Sequence, residues 1–159
     1  AITLESEYGV PVADIPYSNR GIIYLITGRD QNAVEDFDRA ILANPVLAGP
    51  YINRAIAYVN LAGRGRLNIL TLGIVSRNGQ MQGAAFPVAS GTSGGEDVLN
   101  RAISSCSKAI ELDGTSAPAY MIRGYAKELL SRDGACDDLK KAKSLGSIGA
   151  DGLINAYCK

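Results

Sequence analysis

The chain has 159 residues, 47% of them hydrophobic, enough for one continuous core, which sets the expectation of a single domain over 1–159. Sixteen basic residues balance sixteen acidic ones with no basic run, which argues against a nucleic-acid binder. Histidine is absent, and with it the commonest general base, metal ligand and pH switch, so neither a metal nor another cofactor is expected.

Residues 1–14 alternate with period two: Ile2, Leu4, Ser6 and Tyr8 are interleaved with Thr3, Glu5 and Glu7, and Gly9, Pro11 and Pro16 then forbid a long helix. The pattern predicts an extended arm, with a disordered terminus as the alternative. The opening at Ala1, without methionine, fits a mature exported product as well as a trimmed chain, and the expectation is a periplasmic or extracellular location.

From Tyr17 to Pro45 the spacing becomes helical. Tyr17, Gly21, Tyr24 and Gly28 share one face, Gly21 admits a neighbouring helix, and Gly28 ends the segment. A second helix over roughly Asn32 to Ala43 carries Ala33, Phe37 and Ala40 at intervals of four and three, the rows on which helices interdigitate, and Pro45 stops it. The charges on the outer surface of this first unit, 15–45, which are Arg29, Asp30, Glu35, Asp36, Asp38 and Arg39, read as a solvated face. The opening recurs 34 residues on, where Tyr51, Asn53, Arg54, Ala55 and Tyr58 match Tyr17, Asn19, Arg20, Gly21 and Tyr24. The spacing of Tyr17, Gly21, Tyr24, Ala33, Phe37, Ala40 and Pro45 resembles the tetratricopeptide repeat (TPR). The resemblance implies a mainly α solenoid of helix-turn-helix units whose first helices line a concave, protein-binding face.

The second unit, 48–114, starts normally with a helix from about Pro50 to Leu61, but its helix-packing alanine is late. Ala33 follows Tyr17 by 16 residues, whereas Ala102 follows Tyr51 by 51. An insertion, 64–95, therefore sits inside the helical hairpin. Leu67 to Arg77 and Gln80 to Val88 flank Asn78-Gly79, the strongest short-range signal for a β-hairpin, and residues 89–95 read as a flexible return. The run Leu67 to Val75, interrupted by Asn68, is too short to cross a bilayer as a helix, so no transmembrane segment is expected. The delayed helix is predicted over Asp97 to Leu112, on the positions Ala102, Cys106 and Ala109.

A third unit, 117–147, opens at Tyr120 with Arg123 and Gly124 and continues through Ala135, Leu139 and Ala142, although Lys127 stands where the other units have tyrosine and its turn is one residue shorter. The last stretch, 148–159, with Leu153, Ile154 and Tyr157, reads as a capping helix. Gly134 to Ala142, Leu145-Gly146 and the Tyr157-Cys158 ending look like the closing repeat of exported bacterial proteins of this type. Cys136 and Cys158 fall on the last two helices; a disulfide between them, which the reading favours, would tie down the chain end, and two buried thiols are the alternative. Cys106, in the core row, reads as a buried small hydrophobe.

No catalytic residues are expected. Glu35-Asp36 and Asp137-Asp138 are sequence neighbours on helices and point in different directions, a nucleophile would lack its histidine, and Ser90 to Gly95 has no phosphate-loop lysine. The expected function is a non-enzymatic protein-protein interaction scaffold. Its apolar groove comprises Ile22, Leu25, Ile26, Ile52, Asn53, Ile56, Val59, Met121, Tyr125 and Leu129, and contact of these residues with the insertion or the next helix is the competing reading. Repeat domains that grip acidic chain ends use lysines and asparagines there; this chain has Asn19 and Asn53 without the lysines, so the expected ligand is apolar. The alternative function is a self-assembling structural subunit of an extracellular filament, a homo-oligomer or polymer built by head-to-tail stacking and exchange of the arm through Ile2, Leu4 and Tyr8.

Overall fold

Where rows of small and large apolar residues at spacings of three and four end in glycine or proline, the chain folds into short helices that reverse on one another. The computed structural model describes residues 14–63 and 95–159. These form seven helices, α1 (Asp14–Thr27), α2 (Asp30–Ala43), α3 (Ala48–Leu61), α4 (Gly95–Leu112), α5 (Ala117–Leu129), α6 (Ala135–Ser144) and α7 (Ala150–Tyr157). The arm residues Ile2, Leu4 and Tyr8 and the predicted β-hairpin over 67–88 lie outside the described residues, among which there is no strand.

Helices α1 and α2, α3 and α4, and α5 and α6 pack as three antiparallel hairpins, and α7 lies against α6 and α5. The first helices of successive units also touch, α1 with α3, α3 with α5, and α5 with α7, while among the described residues α2, α4 and α6 do not touch one another. The solenoid therefore curves with its first helices on the inner row. Gly28 closes α1 with a φ of 79°, a left-handed backbone that costs glycine little.

Two helix starts differ from expectation. Asp14 is already the first residue of α1, not part of the arm, and Gly95 opens α4 instead of ending a flexible return. The physical reason at Gly95 is contact: the residue is buried, and a Cβ there would lie 3.4 Å from the carbonyl oxygen of Ala62 at the end of α3. That is an ordinary van der Waals distance, so the two helix ends meet there.

The core is one cluster running the length of the solenoid, from Leu25, Ala33 and Phe37 through Ile56, Val59, Leu99 and Cys106 to Ile122, Leu139 and Leu153. A side chain as large as Phe37, with no exposed surface, contributes about 1.5 to 3 kcal/mol by burial. Within each hairpin the same two positions face each other. A Cβ on Gly21 would come within 2.7 Å of the Phe37 ring, and one on Gly124 within 2.9 Å of Leu139. The second unit has Ala55 in the glycine's place and the smaller Cys106 opposite in the place of Phe37, both without exposed surface. Burial pushes the Cys106 thiol up, so it stays protonated and inert. Of the three unit-opening tyrosines, Tyr51 is buried, with its hydroxyl donating to the Pro45 carbonyl at 3.1 Å, while Tyr17 and Tyr120 are half-buried.

At the carboxyl end, Cys136 of α6 and Cys158 after α7 form the disulfide, with Cα atoms 5.6 Å apart. Ala150 and Leu153 bury the inner face of α7 on α5 and α6, so the cap is held by packing and by a covalent tie.

Candidate functional site

On α1, Ile15, Asn19, Ile22 and Ile26 recur at intervals of four, three and four and so form one stripe along the helix. Ile15 and Ile26 are each 57% exposed, Ile22 is half-buried, and Ile23 on the flank is 58% exposed. The equivalent stripe on α3 runs through Asn53, Ile56 and Asn60, and on α5 through Ile122, Tyr125 and Leu129. There Ile56, Ile122 and Tyr125 belong to the core cluster and Leu129 packs against it. Burial also pushes the Tyr125 phenol up to about 12, and its ring lies 6.3 Å from that of Tyr157 on the cap.

Of the ten residues expected to line an apolar groove, the structure buries Leu25, Ile52, Ile56, Val59, Met121 and Tyr125 and half-buries Ile22, Asn53 and Leu129. Ile26 is open to solvent. The apolar surface of the inner row is thus concentrated on α1, at the amino-terminal end of the described solenoid.

A second feature escaped the sequence reading. Arg20, Arg54 and Arg123 occupy the same place in the three units, three residues after the opening tyrosine, and each guanidinium stacks over that tyrosine's ring at 5.7, 5.5 and 5.4 Å respectively. Arg20 forks onto Asp36, Nε donating to Oδ2 at 2.6 Å and Nη2 to Oδ1 at 2.8 Å. Arg123 repeats the fork onto Asp138 at 2.8 and 2.6 Å, and its Nη1 reaches back to Ser107 of the preceding unit at 3.2 Å. Asp36 and Asp138 are 1% and 6% exposed, so Asp36 is not part of a solvated face as its neighbours suggested. The hydrogen bonds and charge of Arg20 outweigh burial and hold the Asp36 carboxyl below the usual carboxylate range. Lys127, which breaks the tyrosine pattern, donates to Asp138 at 2.7 Å and joins the same cluster.

In the second unit the carboxylate is missing. Ser105 stands where the others have aspartate, and Arg54 donates its Nε to the Ser105 hydroxyl at 3.2 Å and its Nη1 to Asp38 of the preceding unit. The signal that could have exposed this ladder was the recurrence of Tyr-x-x-Arg at a position that the helical period turns toward the partner helix.

No protein-family model matches the chain, and no curated protein matches it in sequence. Solved structures do match in three dimensions. The TPR domain of Arabidopsis OM64 aligns with a TM-score of 0.68 at 21% identity over 92% of this chain and 94% of that one. The second TPR domain of human RPAP3, in complex with the HSP70 peptide SGPTIEEVD, aligns with a TM-score of 0.67 at 22% identity over 92% and 96%. The TPR2B domain of yeast Sti1, in its complex with pHsp70, gives 0.60 at 20% identity over 91% and 88%. With three helical hairpins, a capping helix and these neighbours, the chain has the fold of a tetratricopeptide-repeat domain.

Proposed function

We propose that the chain is a non-catalytic protein-interaction module that holds an apolar segment of a partner protein against the inner row, centred on α1. The observation that carries this is the exposure of Ile15 and Ile26, flanked by Ile23 and joined by the half-buried Ile22, on a helix whose counterparts α3 and α5 expose no large apolar side chain on the same stripe. Three large apolar side chains more than half exposed on one helix mark a surface that gains by being covered. Several structural neighbours hold peptides, such as SGPTIEEVD in the RPAP3 complex, which ends in acidic residues. On the inner stripes of this chain, from Ile15 to Leu129, asparagine and isoleucine stand without lysine, which favours an apolar ligand over an acidic chain end.

The Cys136–Cys158 disulfide supports an oxidising compartment, and we place the module in the periplasm or outside the cell. The absence of histidine from the sequence agrees with a binding role in place of acid-base chemistry.

The test is a peptide array of apolar and acid-ended nonapeptides that includes SGPTIEEVD. Wild-type protein is expected to select apolar sequences, and Ile22→Asp with Ile26→Asp to lose them while circular dichroism stays helical. Preferential binding of SGPTIEEVD, or unchanged selection by the double variant, overturns the reading. Light scattering alongside detects a second copy as the occupant: concentration-dependent growth that the double variant abolishes would assign the stripe to self-association.

A further inference from the structure

The second unit differs from its neighbours in one respect that packing does not settle. In the first and third units, Nε and Nη2 of the arginine fork onto both oxygens of a buried aspartate. In the second, Nε meets the Ser105 hydroxyl and Nη2 of Arg54 has no hydrogen-bond partner among the described residues. At the same place a pocket of about 240 Å³, lined by Arg54, Tyr58, Arg101, Ser104 and Ser105, opens between α3 and α4.

We infer that this pocket binds a phosphate group, which supplies to Arg54 the oxyanion that Asp36 and Asp138 supply to Arg20 and Arg123. The proposal is independent of the apolar stripe on α1.

Four observations carry it. Arg54 and Arg101 line the pocket, no carboxylate is among its lining residues, and the partner of Arg54, Asp38, has a side chain 46% exposed, so the lining is positively charged. Tyr58 is 8% exposed and lines the pocket, yet its hydroxyl has no hydrogen-bond partner among the described residues, an arrangement that costs stability unless a ligand or water accepts from it. Ser105 accepts from Arg54, so its own proton is free to donate, and Ser104 beside it is exposed. The volume is several times the roughly 30 Å³ share of a water molecule, which admits a tetrahedral oxyanion and part of whatever bears it.

The donor set decides between oxyanions. Two guanidinium groups and three hydroxyls are more donors than the two oxygens of a carboxylate can use, whereas a phosphate offers three or more acceptor oxygens and a second charge. Guanidinium forks match phosphate as well as carboxylate, so Arg54 can meet a phosphate with the same geometry that Arg20 uses on Asp36.

The experiment follows the amide resonances of Tyr58 and residues 101–105 in the full chain during titration with inorganic phosphate, with doubly blocked phosphoserine and with acetate at constant ionic strength. Saturable shifts with both phosphates, and weaker ones with acetate, are expected. Tighter binding of the blocked phosphoserine assigns the group to a modified side chain of a partner, and tighter inorganic phosphate to the free ion. Arg101→Gln should weaken binding about tenfold, the loss of one charge-assisted contact. Ser105→Asp, which restores the residue found in the other two units, should abolish binding while the protein remains folded and melts no lower than wild type. Shifts no larger with phosphate than with acetate, an Arg101→Gln affinity equal to wild type, or undiminished binding by Ser105→Asp would each overturn the proposal.

Discussion

The first and second units carry the same framework and solve its two central contacts differently. At the packing contact, Gly21 against Phe37 becomes Ala55 against Cys106: a larger residue on one helix faces a smaller one on the other, and both are sealed from solvent. At the ionic contact, Arg20 against Asp36 becomes Arg54 against Ser105, and nothing in the second unit replaces the charge. Arg54 reaches across to Asp38 in the first unit instead. Close packing is settled between two facing side chains, so a change in one demands a change in the other. An arginine has five donors and a long stem, so its partner can come from the preceding unit, and the substitution ties two units together.

Breaking the intact ionic contact should have the largest effect. Asp138 takes three donors from Arg123 and Lys127, whose side chains are 19% and 22% exposed, and Asp138→Ala leaves two cations facing a space that water reaches only in part. A loss of about 3 kcal/mol is expected in urea denaturation, at the lower end for an interrupted buried pair because the partners keep some solvent. A loss below about 1 kcal/mol would place the contact among ordinary surface pairs.

The packing contact gives the next effect and tests the compensation directly. Gly21→Leu drives a branched side chain into the Phe37 ring and should cost about 1 to 3 kcal/mol. Gly21→Ala should also destabilise the wild type, because even its Cβ would lie 2.7 Å from that ring. On a Phe37→Cys background, the pairing used by the second unit, the same Gly21→Ala change should become stabilising by up to about 1 kcal/mol, the helix preference of alanine over glycine. A double-mutant cycle reads the coupling, and additive effects would show that the two positions do not compensate.

These contacts were not equally legible in the sequence. Gly21, Phe37 and the disulfide pair could be anticipated because a repeat of fixed length turns residue spacing into spatial position, and a small residue recurring at one place in each unit marks where two helices approach closely. Asp36 could not, because it sits beside Glu35 in a run of charges, and burial separates two adjacent carboxylates only once the partner helix is in place. The same limit applies to the inner row. The period puts Ile22, Ile56 and Tyr125 on one kind of face, but whether that face is open depends on what packs over each helix, which periodicity does not carry. Exposure of the stripe on α1 and its closure on α3 and α5 is therefore information that only the fold supplies.

Acid should separate the units by charge type. Asp36 is held below the usual carboxylate range in the fold, chiefly by hydrogen bonds from Arg20, whereas the unfolded chain keeps the ordinary value. Its contribution to stability is therefore complete above the ordinary carboxylate pKa and is lost as pH falls through that value toward the lower folded one. Urea midpoints measured from about pH 5 down to about pH 2 should fall less steeply for Asp36→Asn than for wild type. Ser105→Asp should steepen the same limb by placing a new carboxylate under the Arg54 guanidinium as Asp36 lies under that of Arg20, and an unchanged limb in both variants would contradict the assignment.

The smallest effect is the most informative about how units are joined. Asp38 is nearly half exposed, so Asp38→Asn should cost no more than about 1 kcal/mol in the wild type, as expected of a surface pair. Its weight comes from Arg54 having no carboxylate in its own unit. If Ser105→Asp is introduced first, Arg54 acquires the fork that Arg20 and Arg123 already have, and removing Asp38 should then cost nothing measurable. A cycle over Asp38→Asn and Ser105→Asp therefore isolates the part of the inter-unit tie that exists because the second unit lacks its acid. A cost for Asp38→Asn that is the same on both backgrounds would mean that Asp38 holds the two units together whether or not Arg54 has its own partner.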